Sequence, residues 1–184
     1  EKHQKKGNEL NLNEIDRIFK SLGHVYFLNF SGGEPFLRSD LVEIVDSALK
    51  HLRPAIIHSP TNAIASKKVV DQTGSILEMI KKRGLATPLT IKPSLDGIGD
   101  LHDEIRGVPG NWEKLMDTVK GLKKLEREYD NFYVEIGTVV SNFNKEKLDD
   151  IEDFVHAMGV QSYRNEIAEQ REEFLNIDDP ITPT

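Results

Sequence analysis

Short apolar segments and segments with helical periodicity alternate along almost the whole chain. Alternation of this kind predicts an α/β fold with a parallel sheet, because each pair of parallel strands needs a helical crossover. An open doubly wound sheet and part of a βα barrel fit equally well at this point, since both use right-handed connections. The predicted strands are residues 24–30, 55–58, 89–95, 132–140 and 160–163.

Helices are predicted between these strands from apolar stripes and capping residues. Asn13, Asn111 and Asn144 are predicted N-caps, because an asparagine side chain can accept a hydrogen bond from a free backbone N–H of the first turn. Further helices are predicted over residues 39–52 and 66–83. Three segments are predicted: a polar tail at 1–12, one α/β domain at 13–165, and a C-terminal segment at 166–184. The C-terminal segment is predicted to hold most of a short helix near 165–175, followed by a disordered linker.

Composition excludes several classes of protein. The formal net charge of −7 argues against a nucleic-acid partner, and no apolar run approaches the roughly 18 residues of a membrane-spanning helix. The chain has no cysteine, so its own residues cannot provide disulfides, thiolate zinc sites or thiolate ligands to an iron–sulfur cluster. The histidines include no pair at i,i+4 spacing, and no metal site is predicted.

The stretch Ser31-Gly32-Gly33-Glu34-Pro35 lies between the first predicted strand and the next helix. Two glycines remove Cβ atoms where the chain leaves the sheet, so that backbone groups can approach a ligand. The proline disfavours helical backbone at the preceding glutamate and keeps its carboxylate at the rim of the sheet. The stretch is therefore either a ligand-binding turn or a glycine-rich turn with a solvated acid.

Polar residues also follow the later strands. Because ligands of parallel α/β proteins bind outside the carboxyl ends of the strands, these residues define one candidate site. Taken singly, most of them are equally well explained as helix caps or turn residues. Arg106 is the exception, since an arginine beside glycines suits bidentate capture of a carboxylate or phosphate. The candidates are Glu34, Thr61, Asn62, Ser94, Asp96, His102, Arg106, Ser141 and Asn142.

Four motifs, taken in order over residues 24–165, resemble the radical S-adenosylmethionine (radical SAM) superfamily. The turn at 32–35 is similar to its GGEP turn, and Thr61-Asn62-Ala63 is similar to its Thr-Asn-Gly turn. Ser94-Leu95-Asp96-Gly97 with His102, Asp103 and Arg106 is similar to the pattern of proteins close to the molybdenum-cofactor cyclase and the anaerobic sulfatase maturases. Val139-Val140-Ser141-Asn142 is similar to the segment that packs on adenine.

The resemblance implies a site for S-adenosylmethionine. Gly32, Gly33 and Glu34 are implied to hold the amino group of its methionine part. Ser94 and Arg106 are implied to lie near the ribose or the carboxylate, while no residue that acts on a substrate is implied. The implied cofactor-binding set is Gly32, Gly33, Glu34, Pro35, Thr61, Asn62, Ser94, Asp96, Arg106, Val140 at the adenine, and Asn142.

The resemblance also implies a [4Fe-4S] cluster, at which such enzymes cleave S-adenosylmethionine to give a 5′-deoxyadenosyl radical that abstracts hydrogen. The family carries a Cys-x-x-x-Cys-x-x-Cys loop after its first strand, and this chain has neither. The expectation is therefore a fragment, inactive alone, that forms an incomplete TIM-like barrel of about five βα units without the first strand and the cluster loop.

Two alternatives remain open from the sequence. One is a metal-free βα-barrel enzyme that binds a phosphorylated or carboxylated metabolite through Arg106, and the other is a non-catalytic domain that has lost its cluster. If the chain is part of a radical SAM enzyme, its expected partners are the cofactor, an electron donor and a peptide or protein substrate. The expected role is peptide or protein maturation, or cofactor maturation. The expected location is the cytoplasm, without a membrane or nucleic-acid partner.

Overall fold

A computed structural model describes residues 9–160 and 162–169 of the chain, in which helices and strands alternate. Two short 3₁₀ turns, at Pro35–Leu37 and Lys145–Lys147, precede helices. The helices are α1 (Leu12–Leu22), α2 (Leu41–His51), α3 (Ser66–Lys82), α4 (Asp100–Arg106), α5 (Asn111–Glu128) and α6 (Leu148–Ala157). The strands are β1 (Phe27–Asn29), β2 (Ile56–Thr61), β3 (Leu89–Pro93), β4 (Phe132–Val140) and β5 (Ser162–Ile167).

The five strands form one sheet in the order β1-β2-β3-β4-β5, and every pair is parallel. A doubly wound sheet needs a point at which the strand order reverses, and this sheet has none. The structure therefore confirms the incomplete βα barrel and answers the question that the sequence left open. Within the described residues β1 pairs with β2 alone, so its other edge is unpaired there.

Alternate residues of the strands pack against the helices and build the core. Ile57, Ile91 and Val134 are buried in one cluster beneath α2, α3 and α5. Leu95 and Ile136 belong to a second cluster beneath α5 and α6. Burial of each such side chain stabilises the fold by about 1.5–3 kcal/mol. This packing holds the parallel strands in place, with their carboxyl ends along a single edge.

Helices α3 and α5 approach each other closely at Gly121, where an added Cβ would lie 2.5 Å from Cγ2 of Val70. We expect Gly121→Ala to lower the free energy of unfolding by about 1–3 kcal/mol, because overpacking outweighs the better helix propensity of alanine. Urea denaturation measures the change. Gly74→Ala is the control, since its Cβ would meet only Leu125 at 3.7 Å.

The same contact can be checked from the other side. In a Val70→Ala background the space for the new methyl group exists, so Gly121→Ala should cost much less there. An equal loss of stability in both backgrounds would show that Val70 is not the neighbour that limits residue 121.

The predicted cap of the first helix was wrong. Asn11, not Asn13, caps α1: its side chain accepts from the backbone N–H of Glu14 at 3.1 Å, and the Glu14 carboxylate accepts from the backbone N–H of Asn11 at 2.9 Å. This reciprocal capping box starts the helix at Leu12, inside the predicted tail.

The other two predicted asparagine caps were also wrong. Asn111 is the first residue of α5, after Gly110, and its buried side chain faces His102 instead of capping. Asn144 precedes the second 3₁₀ turn, but its side chain makes no capping bond there, because it is used between two loops described below.

Strand β5 extends beyond the predicted residues 160–163 and ends at Ile167. Asn165 therefore lies in a strand, because it continues the pairing with β4 opposite Thr138, and the predicted short helix does not begin there. Glu166 and Ile167 continue the strand, and Ala168 and Glu169 are not helical, so residues 165–169 contradict the predicted helix. Its residues 170–175 and the predicted linker beyond them lie outside the described residues. The long connection after β3 contains α4, which the sequence did not predict.

Candidate functional site

The carboxylate of Glu34 links the exits of β1 and β2. It accepts hydrogen bonds from the hydroxyl of Thr61 at 3.0 Å, from the backbone N–H of Asn62 at 2.7 Å and from that of Phe36 at 3.2 Å. The backbone of Glu34 is extended, at φ −130 and ψ 106, as the following proline predicts. Because a carboxylate offers about four acceptor positions, these bonds fix its orientation and leave one position for a ligand.

Two residues near Glu34 have backbone in the region that favours glycine. Gly32 has φ +136 with nothing within 4 Å of an added Cβ, so its backbone is open to a ligand. Ala63 has φ 60, at the position where the resembling Thr-Asn-Gly motif has glycine. Its backbone N–H donates to the hydroxyl of Thr61 at 3.1 Å, which keeps the turn closed despite the alanine.

Asp96 and Arg106 form an ion pair at the exit of β3. Oδ2 of Asp96 lies 2.7 Å from Nη2 of Arg106, and Oδ1 accepts from the backbone N–H of Val139 at 2.8 Å. The side chain of Asp96 is 5% exposed and that of Arg106 is 26% exposed. The charge of Arg106 is therefore already balanced within the chain, while its buried Nε–H has no partner among the described residues.

His102 on α4 is buried, and its ring contacts the loop after β3 that carries Asp96. Its Nδ1 accepts from the backbone N–H of Asp96 at 3.2 Å, so the proton of the neutral ring is on Nε2. Nε2 lies 3.2 Å from the side-chain nitrogen of Asn111, whose Oδ1 is buried without a partner among the described residues. Exchanging the oxygen and nitrogen of this amide lets the oxygen accept the Nε2 proton, and we assign the amide in that orientation. Burial and the nearby charge of Arg106 hold the pKa of His102 below its ordinary value. This histidine shapes the loop and is not a metal ligand.

We expect the free energy of unfolding to fall as the pH is lowered from about 7 to about 5. The unfolded chain binds a proton on His102 near its ordinary pKa, and the folded chain binds it only at lower pH, so acid favours unfolding. Urea denaturation across this range should give a shallower slope for His102→Gln than for the unchanged protein.

Burial also lowers the pKa of His58. The variant His58→Gln therefore measures how much His58 contributes to the pH dependence of the free energy of unfolding. If the slope for His102→Gln matched that of the unchanged protein, His102 would not be held neutral in the folded state.

Asn144 ties the exits of β3 and β4 together. Its amide nitrogen donates to the carbonyls of Asp96 and Val139, both at 2.9 Å, and its oxygen accepts from the backbone N–H of Ser141 at 2.7 Å. Ser94 continues β3 by one bridge, to Gly137. The sequence missed this use of Asn144, because an asparagine before a helix is more often a cap.

The structure brings most of the predicted site residues together at the carboxyl edge. Glu34 joins Thr61 and Asn62, and Asp96 joins Arg106 and the end of β4. Val140, the predicted adenine contact, does not face this site. Its side chain is only 7% exposed and points to the helix side, whereas Val139 is 46% exposed on the opposite face.

The face of the sheet opposite the helices, called here the inner face, carries polar residues that the sequence analysis did not select. The carboxylate of Glu135 pairs with Nε of Arg164 at 3.2 Å, accepts from the hydroxyl of Ser162 at 2.9 Å and lies 3.8 Å from Nε2 of His58. A charged residue inside the apolar segment 132–140 was the available signal. Polar residues of the inner face include Asn29, His58, Thr90, Lys92, Glu135, Ser162, Arg164 and Glu166.

The described residues contain no group of three or more histidine, aspartate or glutamate side chains placed to hold a metal ion. No helix in the same ranges combines the length and the apolarity that crossing a lipid bilayer requires.

Parallel βα units that wind in one direction, with polar groups gathered at the carboxyl edge, define a βα-barrel protein whose ligand site lies at that edge. Residues 2–158 match the radical SAM superfamily, which is most of the chain. The chain therefore belongs to the radical SAM superfamily, and the resemblance seen in its motifs is confirmed.

Two similar proteins are AdoMet-dependent heme synthases, AdoMet being S-adenosylmethionine. That of Oleidesulfovibrio alaskensis is 30% identical over 135 residues, which cover 73% of this chain and 31% of the relative. That of Methanosarcina barkeri is 28% identical over 139 residues, which cover 74% of this chain and 35% of the relative. The chain thus spans about a third of the length of the relatives that it matches.

Solved structures of anSMEcpe share the fold. The structure with bound AdoMet and Kp18Cys peptide has a TM-score of 0.62 and 13% identity, covering 86% of this chain and 42% of that chain. The structure with bound AdoMet alone has a TM-score of 0.62 and 15% identity over the same shares. Identity this low supports the barrel fold and carries nothing further.

Proposed function

We propose that the full-length protein is a radical SAM enzyme and that this chain supplies much of its S-adenosylmethionine site. One observation carries the proposal: residues of all four matched motifs meet at the carboxyl edge in two bonded groups. The first group is Glu34 with the exit of β2, and the second is Asp96 with Arg106 and the exit of β4. A solvated acid in an ordinary turn would not need three hydrogen bonds from two separate segments.

The groups at this edge suit the chemistry of the cofactor. The remaining acceptor position of Glu34 suits the amino group, beside the open backbone of Gly32. The unpaired Nε–H of Arg106 suits a ribose or carboxylate oxygen near Ser94. The sequence assigned the adenine contact to Val140; we assign it to the exposed Val139 beside it. Pro35, Thr61, Asn62, Asp96 and Asn142 complete the proposed site.

The chain has no cysteine, so its residues do not fit a [4Fe-4S] cluster as thiolate ligands. We propose that the rest of the full-length protein supplies them. When both groups are bound, the chemistry that they provide is generation of a 5′-deoxyadenosyl radical for hydrogen abstraction. What this chain contributes is orientation of the cofactor and exclusion of water.

The two alternatives fare differently. The metal-free metabolite enzyme needs Arg106 to capture an anion with two nitrogens of its guanidinium, and the ion pair of Nη2 with Asp96 leaves the buried Nε–H as the unpaired donor among the described residues. The non-catalytic domain predicts a full-length protein without a cysteine triad and without turnover.

The substrate that the comparisons favour is a tetrapyrrole, which makes the proposed role one in cofactor maturation. The two heme synthases, at 30% and 28% identity, support it. A peptide or protein substrate remains a prediction from the sequence, since the likeness to anSMEcpe concerns the fold. An electron donor and a cytoplasmic location belong to the same proposal.

The test uses the full-length protein, reconstituted anaerobically with iron and sulfide and then reduced in the presence of S-adenosylmethionine. Formation of 5′-deoxyadenosine, measured by chromatography, is the expected result. A full-length protein that holds no cluster and forms no 5′-deoxyadenosine would establish the non-catalytic alternative instead.

The 184-residue chain by itself is expected to bind no cluster and to cleave no S-adenosylmethionine, because it offers no thiolate. Anaerobic reconstitution followed by desalting should leave no visible charge-transfer absorbance. A stoichiometric cluster on this chain would contradict the prediction and would require ligands other than cysteine.

A further inference from the structure

Arg164 lies on the inner face of β5 and is held from one side. Its Nε is 3.2 Å from Oε2 of Glu135, and the same oxygen accepts from the hydroxyl of Ser162 at 2.9 Å. The side chain of Glu135 is 10% exposed, whereas that of Arg164 is 71% exposed. The buried carboxylate therefore anchors an arginine that otherwise faces open space.

This anchoring leaves the outer part of the guanidinium available. The group is a planar fork of five N–H donors, and Glu135 engages only the Nε end. No hydrogen bond to Nη1 or Nη2 of Arg164 occurs within residues 9–160 and 162–169. A guanidinium that pairs with Glu135 at Nε and keeps Nη1 and Nη2 available suits a carboxylate ligand, which can accept from both of these nitrogens.

The inner face also carries exposed apolar side chains on other strands. Phe27 on β1 and Tyr133 on β4 are about half exposed there, at 53% and 47%. Together with Arg164 they give this face both apolar and charged groups to offer a ligand. The polar side chains between them are engaged with one another: His58 with Asn29 at 2.8 Å, and Lys92 with Glu166 at 3.5 Å.

We propose that Arg164 binds a carboxylate of the substrate and that Glu135 acts as its positioning residue. The ligand chemistry that fits the inner face is a flat apolar body with a carboxylate at its rim. The proposal rests on the proposed function, in which the substrate is a tetrapyrrole, and it adds the residue that recognises the acid group.

The experiment titrates the full-length protein with protoporphyrin IX and with its dimethyl ester, following porphyrin fluorescence. Both probes are metal-free, so histidine coordination does not contribute. The free acid is expected to bind about tenfold more tightly than the ester, which is the scale of one charge-assisted hydrogen bond. Arg164→Gln should abolish this preference by weakening the free acid alone.

Two further variants complete the design. Arg17→Gln removes the same charge from an exposed position on α1 and should keep the preference. Glu135→Gln should reduce the preference without changing the affinity for the ester, because the guanidinium loses its anchor while the apolar surface stays. A general loss of folding would instead weaken both probes together.

The failures can be told apart. If the porphyrins bind and Arg164→Gln keeps the preference for the free acid, the role of Arg164 is overturned while the tetrapyrrole proposal stands. If neither porphyrin binds the unchanged full-length protein, both are overturned. The carboxylate of S-adenosylmethionine is the other possible ligand, so loss of the free-acid preference on adding excess S-adenosylmethionine would overturn the substrate assignment.

Discussion

Replacing Glu34 by glutamine in the full-length, cluster-loaded enzyme is expected to lower the affinity for S-adenosylmethionine by about ten- to a hundredfold. A charge-assisted hydrogen bond from the amino group contributes about 1.5–3 kcal/mol, and about 1.4 kcal/mol is a factor of ten. The new amide NH₂ would also face Thr61 or Asn62, which now donate to the carboxylate. The lost bond to the amino group and the disturbed bonds within the turn both weaken binding of S-adenosylmethionine. Calorimetry measures the combined loss of affinity.

Two controls separate these effects. Glu43→Gln removes the same charge from the exposed side of α2 and should leave the affinity nearly unchanged. Thr61→Val removes one donor to Glu34 without a change of charge, so it reports the loosening of the turn and should give a smaller loss. Equal affinities for Glu34→Gln and Glu43→Gln would show that the glycine turn does not hold the cofactor.

Asp96→Asn is expected to lower the free energy of unfolding of the 184-residue chain by about 3 kcal/mol. Losing one partner of a buried ion pair costs about 3–5 kcal/mol, and the 26% exposure of Arg106 places this pair at the lower end. The bond to the backbone of Val139 can survive in the variant, so the loss isolates the uncompensated guanidinium. Urea denaturation is the measurement.

The matched control is Asp100→Asn, which removes the same charge four residues later from the exposed first turn of α4. A charge near a helix N-terminus contributes at most about 1 kcal/mol, so this change should be much the smaller of the two. Similar losses for the two variants would mean that the ion pair with Arg106 adds no stability.

The architecture was predictable because each element carries its own periodic signal. Strand β4 has the predicted bounds, since its apolar run at Phe132–Val140 ends where polar residues begin. The alternation alone could not separate a barrel from a doubly wound sheet, because that choice depends on which side of the sheet each helix packs, and the barrel was predicted from the family resemblance. Asn11 was missed as a cap although Glu14 follows it at capping-box spacing, and that pattern could have decided against Asn13.

The position of the candidate residues at the carboxyl edge was predictable, and the bonds between them were less so. The carboxyl-edge rule gathered Glu34, Thr61 and Arg106 correctly, since parallel strands end on the same side. That Asp96 neutralises Arg106 depends on the path of the loop through α4, for which the sequence has no periodic signal. The inner face was missed because Arg164 lies in a strand whose polar composition hides its alternation.

The strand order has a consequence for how the chain folds during synthesis. Paired strands lie close in sequence: Phe27 pairs with Ile56, Leu89 with Phe132 and Glu135 with Ser162. Every strand after β1 joins the one made just before it, so no strand must wait for a partner that the ribosome has yet to make. Loop-closure entropy is then of similar size at each step, because it grows only slowly with the length of the connection. The barrel wall can therefore grow one βα unit at a time, in the order of translation.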